Sequence, residues 1–332
     1  MKIDLHAHFI PRDCFDMVGK KGHKHGLTMG KDASGQDVLM LGNMSAGSIA
    51  ALCDQERRIQ NMDKIGLDIQ AISILPPSIF YDIDSEDGLS FCQRQNNAIA
   101  EVVRAYPDRF VGMATVPMQD MSKAVPELER AVRKLGLKAV EILSNINGKN
   151  LDEPEFWPFY QKAQDLDIPI YIHPSTGRLN AGADRMQRYF LINLIGNPLD
   201  TTLAIASIIF GGVLESFPRL RFLLSHAGGY APFIRGRWEQ GYQFIEACHS
   251  IPKPPSEYLK LMYFDTVIHF GPALAYLVDT VGADKVVLGS DYPASMGVFD
   301  PVNHVRNAAG ISAASKEKIL EQTSVTWLKL AV

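Results

Sequence analysis

Three observations predict a (β/α)8 barrel of the TIM type. Short, almost continuously apolar runs alternate eight times with helical patterns. Strands of that kind belong to a parallel sheet covered by helices, and eight of them close a barrel. The residues able to hold metal or move protons stand at the C-terminal ends of those runs, which a barrel gathers on one rim. A doubly wound open sheet is the competing architecture. It is disfavoured because His6-Ala7-His8, not a Gly-rich turn, follows the first strand.

The elements follow in order. Residues 2–8 form the first strand. A polar, Gly-rich stretch then runs from Pro11 to about Gly47, too long for a plain connection, and reads as a functional loop or small flap inserted over about 12–50. Residues 54–66 read as a helix, with Asp54 as N-cap and Gly66 as its stop. The second strand, 68–75, ends at Pro76-Pro77, and a helix follows over 86–106. The third strand, 110–116, leads into a helix over 122–135, closed by Gly136. The fourth strand, 138–143, precedes a helix near 154–166. The fifth, 168–172, delivers His173, and an insertion over 177–197 leads into a helix over 198–210. The sixth, 221–224, delivers His226 and is followed by a helix near 232–247. The seventh spans 260–267, with a helix after Gly271. The eighth, 285–288, delivers Asp291, and helices near 300–309 and 315–330 end the chain. No clean linker or short-period repeat interrupts the pattern, so residues 1–332 read as one domain.

Composition narrows the function classes. An apolar fraction of 46% and a charged fraction of 21% are those of a soluble globular protein. The formal charge of −4, without a long basic run, argues against a nucleic-acid partner. The longest apolar stretch, near 202–214, is too short for a membrane span, and the N-terminus has no signal-peptide pattern. The four cysteines are scattered without a C-x-x-C pair, which argues against a disulfide framework and a thiolate zinc site. A cytoplasmic protein is expected.

His6, His8, His173, His226 and Asp291 each sit at or just past a strand end. His6 and His8 are two apart, so they share one face of their strand and can chelate one ion. Imidazole and carboxylate donors suit zinc and similar divalent ions. Three histidines with one Asp form a catalytic shell whose ion lowers the pKa of its water towards ~7. A further imidazole can hold or move that proton. A single buried histidine is more often a hydrogen-bonded core residue, but that reading needs coincidence on several separate strands. His23-Lys24-His25 lies in a basic, Gly-rich segment and reads as solvated flap. His249 and His304 read as surface residues, while His269 follows the seventh strand on the same rim.

The ordered motifs resemble the decarboxylase/C–C hydrolase branch of the amidohydrolase superfamily. They are Asp4-Leu5-His6-Ala7-His8, Arg58-Ile59 with Met62-Asp63, Tyr106 to Gly112, Val116 to Gln119, and His173-Pro174. Gly211-Gly212-Val213, Phe217 to Leu220, His226 to Gly229, Pro232-Phe233 with Gly236-Arg237, and Gly289 to Pro293 complete the set. The resemblance implies a barrel with one divalent ion, zinc, with manganese as the alternative. It implies His6, His8, His173 and Asp291 as ligands, and His226 as acid/base partner of the metal-bound water. Arg58 and Arg237 match positions that grip substrate carboxylates, Arg237 across a homodimer interface. A guanidinium suits that task, and a solvated helix face is the competing reading for both.

Some positions depart from the pattern. Glu141 and Ser144, not a bridging lysine, stand at the fourth strand, which favours one metal over two. His6 replaces the Glu found in some aromatic-acid decarboxylases of the branch. The tryptophan-rich patch that the branch's muconate-semialdehyde decarboxylases carry after the fifth strand reads Arg188-Tyr189-Phe190-Leu191-Ile192-Asn193 here. Tyr189 and Phe190 are therefore pocket candidates, with plain packing as their other reading. The expected reaction is decarboxylation of a small carboxylated muconate-like or aromatic-derived acid. A C–C hydrolase or hydratase acting on a ring-fission product is the alternative.

Overall fold

The computed structural model describes residues 1–15, 27–32, 34–41, 44–175 and 180–330. Eight parallel strands follow one another in chain order: β1 (Ile3–Phe9), β5 (Ile69–Ile74), β6 (Phe110–Thr115), β7 (Ala139–Leu143), β8 (Ile170–His173), β9 (Phe222–Leu224), β10 (Tyr263–Asp265) and β11 (Val286–Val287). Backbone hydrogen bonds draw the segment after the last strand onto the first. The Leu5 amide donates to the Leu288 carbonyl at 2.8 Å, His8 to Tyr292 at 2.7 Å, and Asp291 to His6 at 2.7 Å. The barrel the sequence predicts is thereby closed.

Capping chemistry places the helices. In the helix Gln55–Ile65, Asp54 accepts from the Arg57 amide at 3.0 Å, and Gly66 ends it with φ 69°. Only glycine adopts that left-handed turn without strain. The helix Ser85–Ala105 starts a residue earlier than predicted because Asp84 accepts from the Glu86 and Asp87 amides. β10 and β11 are shorter than predicted. The helix Pro255–Leu259 and its Lys260 cap occupy the front of the first, and a 3-10 turn, Ala283–Lys285, the front of the second. The predicted final helix is interrupted by a π-turn, Lys318–Gln322, between Ala313–Glu317 and Thr323–Leu328.

Three further strands, β2 (Leu27–Lys31), β3 (Asp37–Leu41) and β4 (Met44–Ser48), form an antiparallel sheet within the predicted flap. Leu27 and Leu39 anchor it against Ile10, Leu52, Leu75, Phe80 and Phe91. His23 and His25 lie outside the described residues. In the second insertion, a π-turn, Ile192–Gly196, runs straight into the helix Asn197–Phe210. The resulting 19-residue run is long and apolar enough to cross a membrane, unlike the shorter stretch expected there. Its Ile205, Ile208 and Ile209 are buried in the core, and half of the run is covered by the fold.

The barrel interior is filled by Ile3, Leu5, Ala71, Met113, Tyr171, Leu223 and Val287, closed off by Trp327 from the last helix. Trp327 is fully buried, and neighbouring Ser324 donates to the Ile3 carbonyl at 3.1 Å. Trp327→Ala is expected to lower stability by about 3–5 kcal/mol, the usual loss for a buried aromatic. Chemical denaturation measures it. A loss below about 1 kcal/mol would show that this helix does not close the barrel floor.

Candidate metal centre

The site begins with an irregularity in β1. Asp4 pairs with Gln70 but Ala7 with Ile72, so β1 carries one extra residue between them. A bulge breaks the strict alternation of side chains. Leu5 fills the barrel core, and the His6 ring meets Tyr171 with centroids 5.3 Å apart. His8, two residues on, keeps to the same face. Its ring lies 4.9 Å from His6 and 5.0 Å from His173.

Their ring nitrogens converge. The Nε2 atoms of His6 and His8 are 3.1 Å apart, and lie 3.2 and 3.1 Å from Oδ1 of Asp291. His173 brings a buried Nε2 that has no hydrogen-bond partner, while its Nδ1 faces the Pro174 carbonyl at 3.0 Å. One donor atom from each of His6, His8, His173 and Asp291 lies within 4.8 Å of the others. Three imidazoles and a carboxylate, all buried and one nitrogen orphaned, are the donor set of a divalent ion with an open position. The residues present fit such an ion.

His226 stands beside this set. Its Nε2 is 3.6 Å from the other Asp291 oxygen, and its ring is 5.0 Å from that of His173. Its side chain is 18% exposed, against 1% or less for His6 and His8, so it is the imidazole open to the barrel mouth. His226, Ala227 and Asp291 have φ of 52°, 55° and 59°. Such left-handed backbone is uncommon for residues with side chains and gathers at functional sites.

Asp265 holds that arrangement. It accepts from His6 Nδ1 at 2.6 Å and from the amides of His226 at 3.0 Å, Ala227 at 2.8 Å and Val267 at 3.0 Å. Gly289 makes room for it. A Cβ there would lie 2.9 Å from Asp265 Cβ and 3.0 Å from His6 Cβ.

Electrostatics distinguish the ring nitrogens. Burial presses the His6 imidazole down, but Asp291 and Asp265 overcome it and hold its pKa at about 10. Burial drives His8 down to about 4, despite Asp291. His173 is held well below the ordinary histidine value by burial and by the neighbouring His226 and His8. Burial opposes the charge on Asp291, yet His6 and hydrogen bonds from the histidines keep it well below the usual carboxylate range.

The amidohydrolase family profile matches residues 3–330. The chain belongs to the amidohydrolase family. It is 34% identical over 333 residues to 2-amino-3-carboxymuconate-6-semialdehyde decarboxylase of Dictyostelium discoideum, covering 99% of this chain and 92% of that one. Among solved structures it is similar to 5-carboxyvanillate decarboxylase of Sphingomonas paucimobilis. That match has a TM-score of 0.85, 25% identity and 99% coverage of both chains. The 5-carboxyvanillate decarboxylase of Novosphingobium aromaticivorans, complexed with manganese and 4-hydroxy-3-methoxy-5-nitrobenzoic acid, matches with a TM-score of 0.84 and 25% identity. It covers 99% of this chain and 96% of that one.

Within this amidohydrolase barrel the residues expected to touch substrate are dispersed. Arg58 does not stand at the mouth. It is 2% exposed, and its guanidinium donates to Gln70 Oε1 at 2.8 Å and to the His8 and Ala51 carbonyls at 2.6 and 3.0 Å. The helix Gln55–Ile65 packs its Arg58 face inward behind β1, so the guanidinium binds backbone there instead of a ligand. Burial lowers its pKa to about 10. Arg237 is exposed on the helix Ala231–Phe244. Tyr189 is 73% exposed and Phe190 half-buried, both with positive φ. His249 and His269 are exposed, and His304 is half-buried.

Sequence reasoning missed Asp265, Asp4 and Gln70. Asp4 accepts from Gln70 Nε2 at 2.7 Å, from the His6 amide at 3.1 Å and from the Ser290 amide at 3.0 Å. The only signal was an acid within an apolar strand, and that marks burial without naming a partner.

Asp265→Asn is expected to weaken metal retention roughly 10–100-fold, as loss of a carboxylate behind a ligating histidine does. Metal content after dialysis against a chelator measures it. In metal-free protein, His6 has a folded pKa of about 10 against 6.5 for the free side chain. Its stabilising contribution is therefore complete below pH 6.5 and is lost as pH rises towards about 10. Urea midpoints of the metal-free chain are expected to fall across that window, and His6→Asn to flatten the fall. A flat wild-type profile would show that His6 carries no extra proton.

Proposed function

We propose that this amidohydrolase is a metal-dependent decarboxylase of a small carboxylated acid, muconate-like or aromatic-derived. The observation that carries the reading is the buried four-donor cluster with His226 open beside it. The full-length similarity to decarboxylases supports it.

His6, His8, His173 and Asp291 would hold the ion, and the histidine-rich set favours zinc over manganese. When bound, a divalent ion supplies positive charge that polarises a substrate carboxylate or carbonyl oxygen. The protein's residues supply the rest. Cleavage of the bond between carbon and carboxylate releases CO2 and leaves its electron pair on carbon. His226 would deliver a proton to that carbon from Nε2, the ring nitrogen that faces Asp291 Oδ2 at 3.6 Å. Asp265 fixes the His226 backbone so that the ring is already placed. Arg237, exposed and cationic, would pair with a substrate carboxylate across a homodimer interface, and Tyr189 and Phe190 would line the entrance. Arg58 would act behind the site by holding the His8 carbonyl. The four cysteines, scattered along the chain without a C-x-x-C pair, fit a reducing compartment, the cytoplasm.

Metal-loaded protein incubated with carboxylated muconates and hydroxybenzoates is expected to release CO2 stoichiometrically with substrate loss. Release of a carboxylic acid, or uptake of water without CO2, would replace this reading with hydrolysis or hydration. His226→Ala is expected to lower kcat by roughly 10²–10⁴-fold while metal content stays at wild-type level.

A further inference from the structure

Beneath the metal centre lies a buried acid that the chemistry above does not use. Glu141 pairs with Thr115 on β6 and Tyr171 on β8, and it is fully buried. Its carboxyl interacts with the Ser73 hydroxyl and the Ile74 amide without closing a hydrogen bond of normal length to either. The Tyr171 hydroxyl beside it is also buried without a partner. Burial pushes the Glu141 carboxyl well above the usual carboxylate range. An enclosed acid so poorly bonded is destabilising, and an apolar side chain of similar size would be neutral or better there.

The histidines above it show what the acid can do. A ligating histidine normally donates its second ring N–H to an acceptor that fixes its tautomer and orientation. His6 has the Asp265 carboxylate and His173 the Pro174 carbonyl. His8 has Ser73, its pairing partner on β5, with Oγ 3.4 Å from Nδ1. A hydroxyl accepts a hydrogen bond best when its own proton is directed elsewhere. Within reach of that proton are the Ala7 carbonyl at 3.5 Å and the Glu141 carboxyl.

We propose that Glu141 is a positioning residue for His8, acting through Ser73. His8 Nδ1–H donates to Ser73 Oγ, and the Ser73 hydroxyl turns its proton towards the Glu141 carboxyl. The Nε2 lone pair of His8 is thereby held towards the ion. Each half of the His6-Ala7-His8 chelate then has a buried carboxyl behind it, Asp265 directly and Glu141 through one hydroxyl. The inference rests on the metal centre proposed above.

Mn2+ affinity of the full-length chain, measured by competition with a fluorescent chelator, tests it. Wild type is expected to bind one Mn2+ per chain. Ser73→Ala and Glu141→Leu are each expected to weaken binding roughly 10–100-fold. The double variant is expected to lose no more than the weaker single one, because the two groups act as one unit. Glu141→Gln keeps a carbonyl acceptor and is expected to recover most of the affinity. Thermal unfolding confirms that each variant is folded. If Glu141→Leu does not fold, Ser73→Ala and Glu141→Gln still give the comparison. Wild-type Mn2+ affinity in Glu141→Leu, or in Ser73→Ala, overturns the relay and leaves the metal centre standing. If the wild type binds Zn2+ but not Mn2+, the same comparison is made with Zn2+; failure of the wild type to bind either ion overturns both.

Discussion

The Asp265 carboxylate takes hydrogen bonds from His6 Nδ1 and from the amides of His226, Ala227 and Val267. One buried anion therefore does two tasks. It orients the His6 ring, and it offsets the strain of two consecutive left-handed residues just past β9. It stays charged although burial favours the neutral acid, because His6 lies against it. A neutral group at this position would leave His6 without its partner and the turn at His226 without its brace. The geometry of His6 and His226 is thus set by one buried side chain.

A second network holds the same ligands from outside the barrel. Arg58 reaches Gln70 and the His8 carbonyl, Gln70 reaches Asp4, and Asp4 binds the Ser290 amide and hydroxyl. Arg58 also lies over the Tyr292 ring, 4.7 Å from its centroid. This network links the carbonyl of one ligand, His8, to the residue before another, Asp291. Buried polar chains of this kind rigidify when every member is satisfied. It explains why an arginine resembling a substrate grip can be internal. In sequence a buried guanidinium and a binding guanidinium read alike, and only its hydrogen-bond partners separate them.

The barrel was legible because burial on both faces leaves its mark on every strand, and β/α alternation repeats that mark eight times. The rim residues were legible because histidine at the end of an apolar strand is chemically out of place. Asp265 was not, since an acid two residues before a strand end gives no sign of which side chain it faces. The flap strands were hidden for a different reason. β3 is apolar at four consecutive positions, Val38 to Leu41, and so shows no period of two. The β1 bulge could not be read at all, because register depends on the neighbouring strand. His6 and His8 would share a face with or without it.

The backbone bonds that close the barrel join Leu5, His6 and His8 to Leu288, Ser290, Asp291 and Tyr292. The seam of the barrel and the metal centre are therefore the same place. Residues from the first and last strands must meet before either exists, so site formation waits on the contact with the greatest separation along the chain. Loop closure over such a distance is slow compared with pairing neighbouring strands. During synthesis, a nascent chain that has made seven strands has its chelating histidines but not the carboxylate that completes them. The protein acquires its metal-binding capacity late and all at once, when the circle closes.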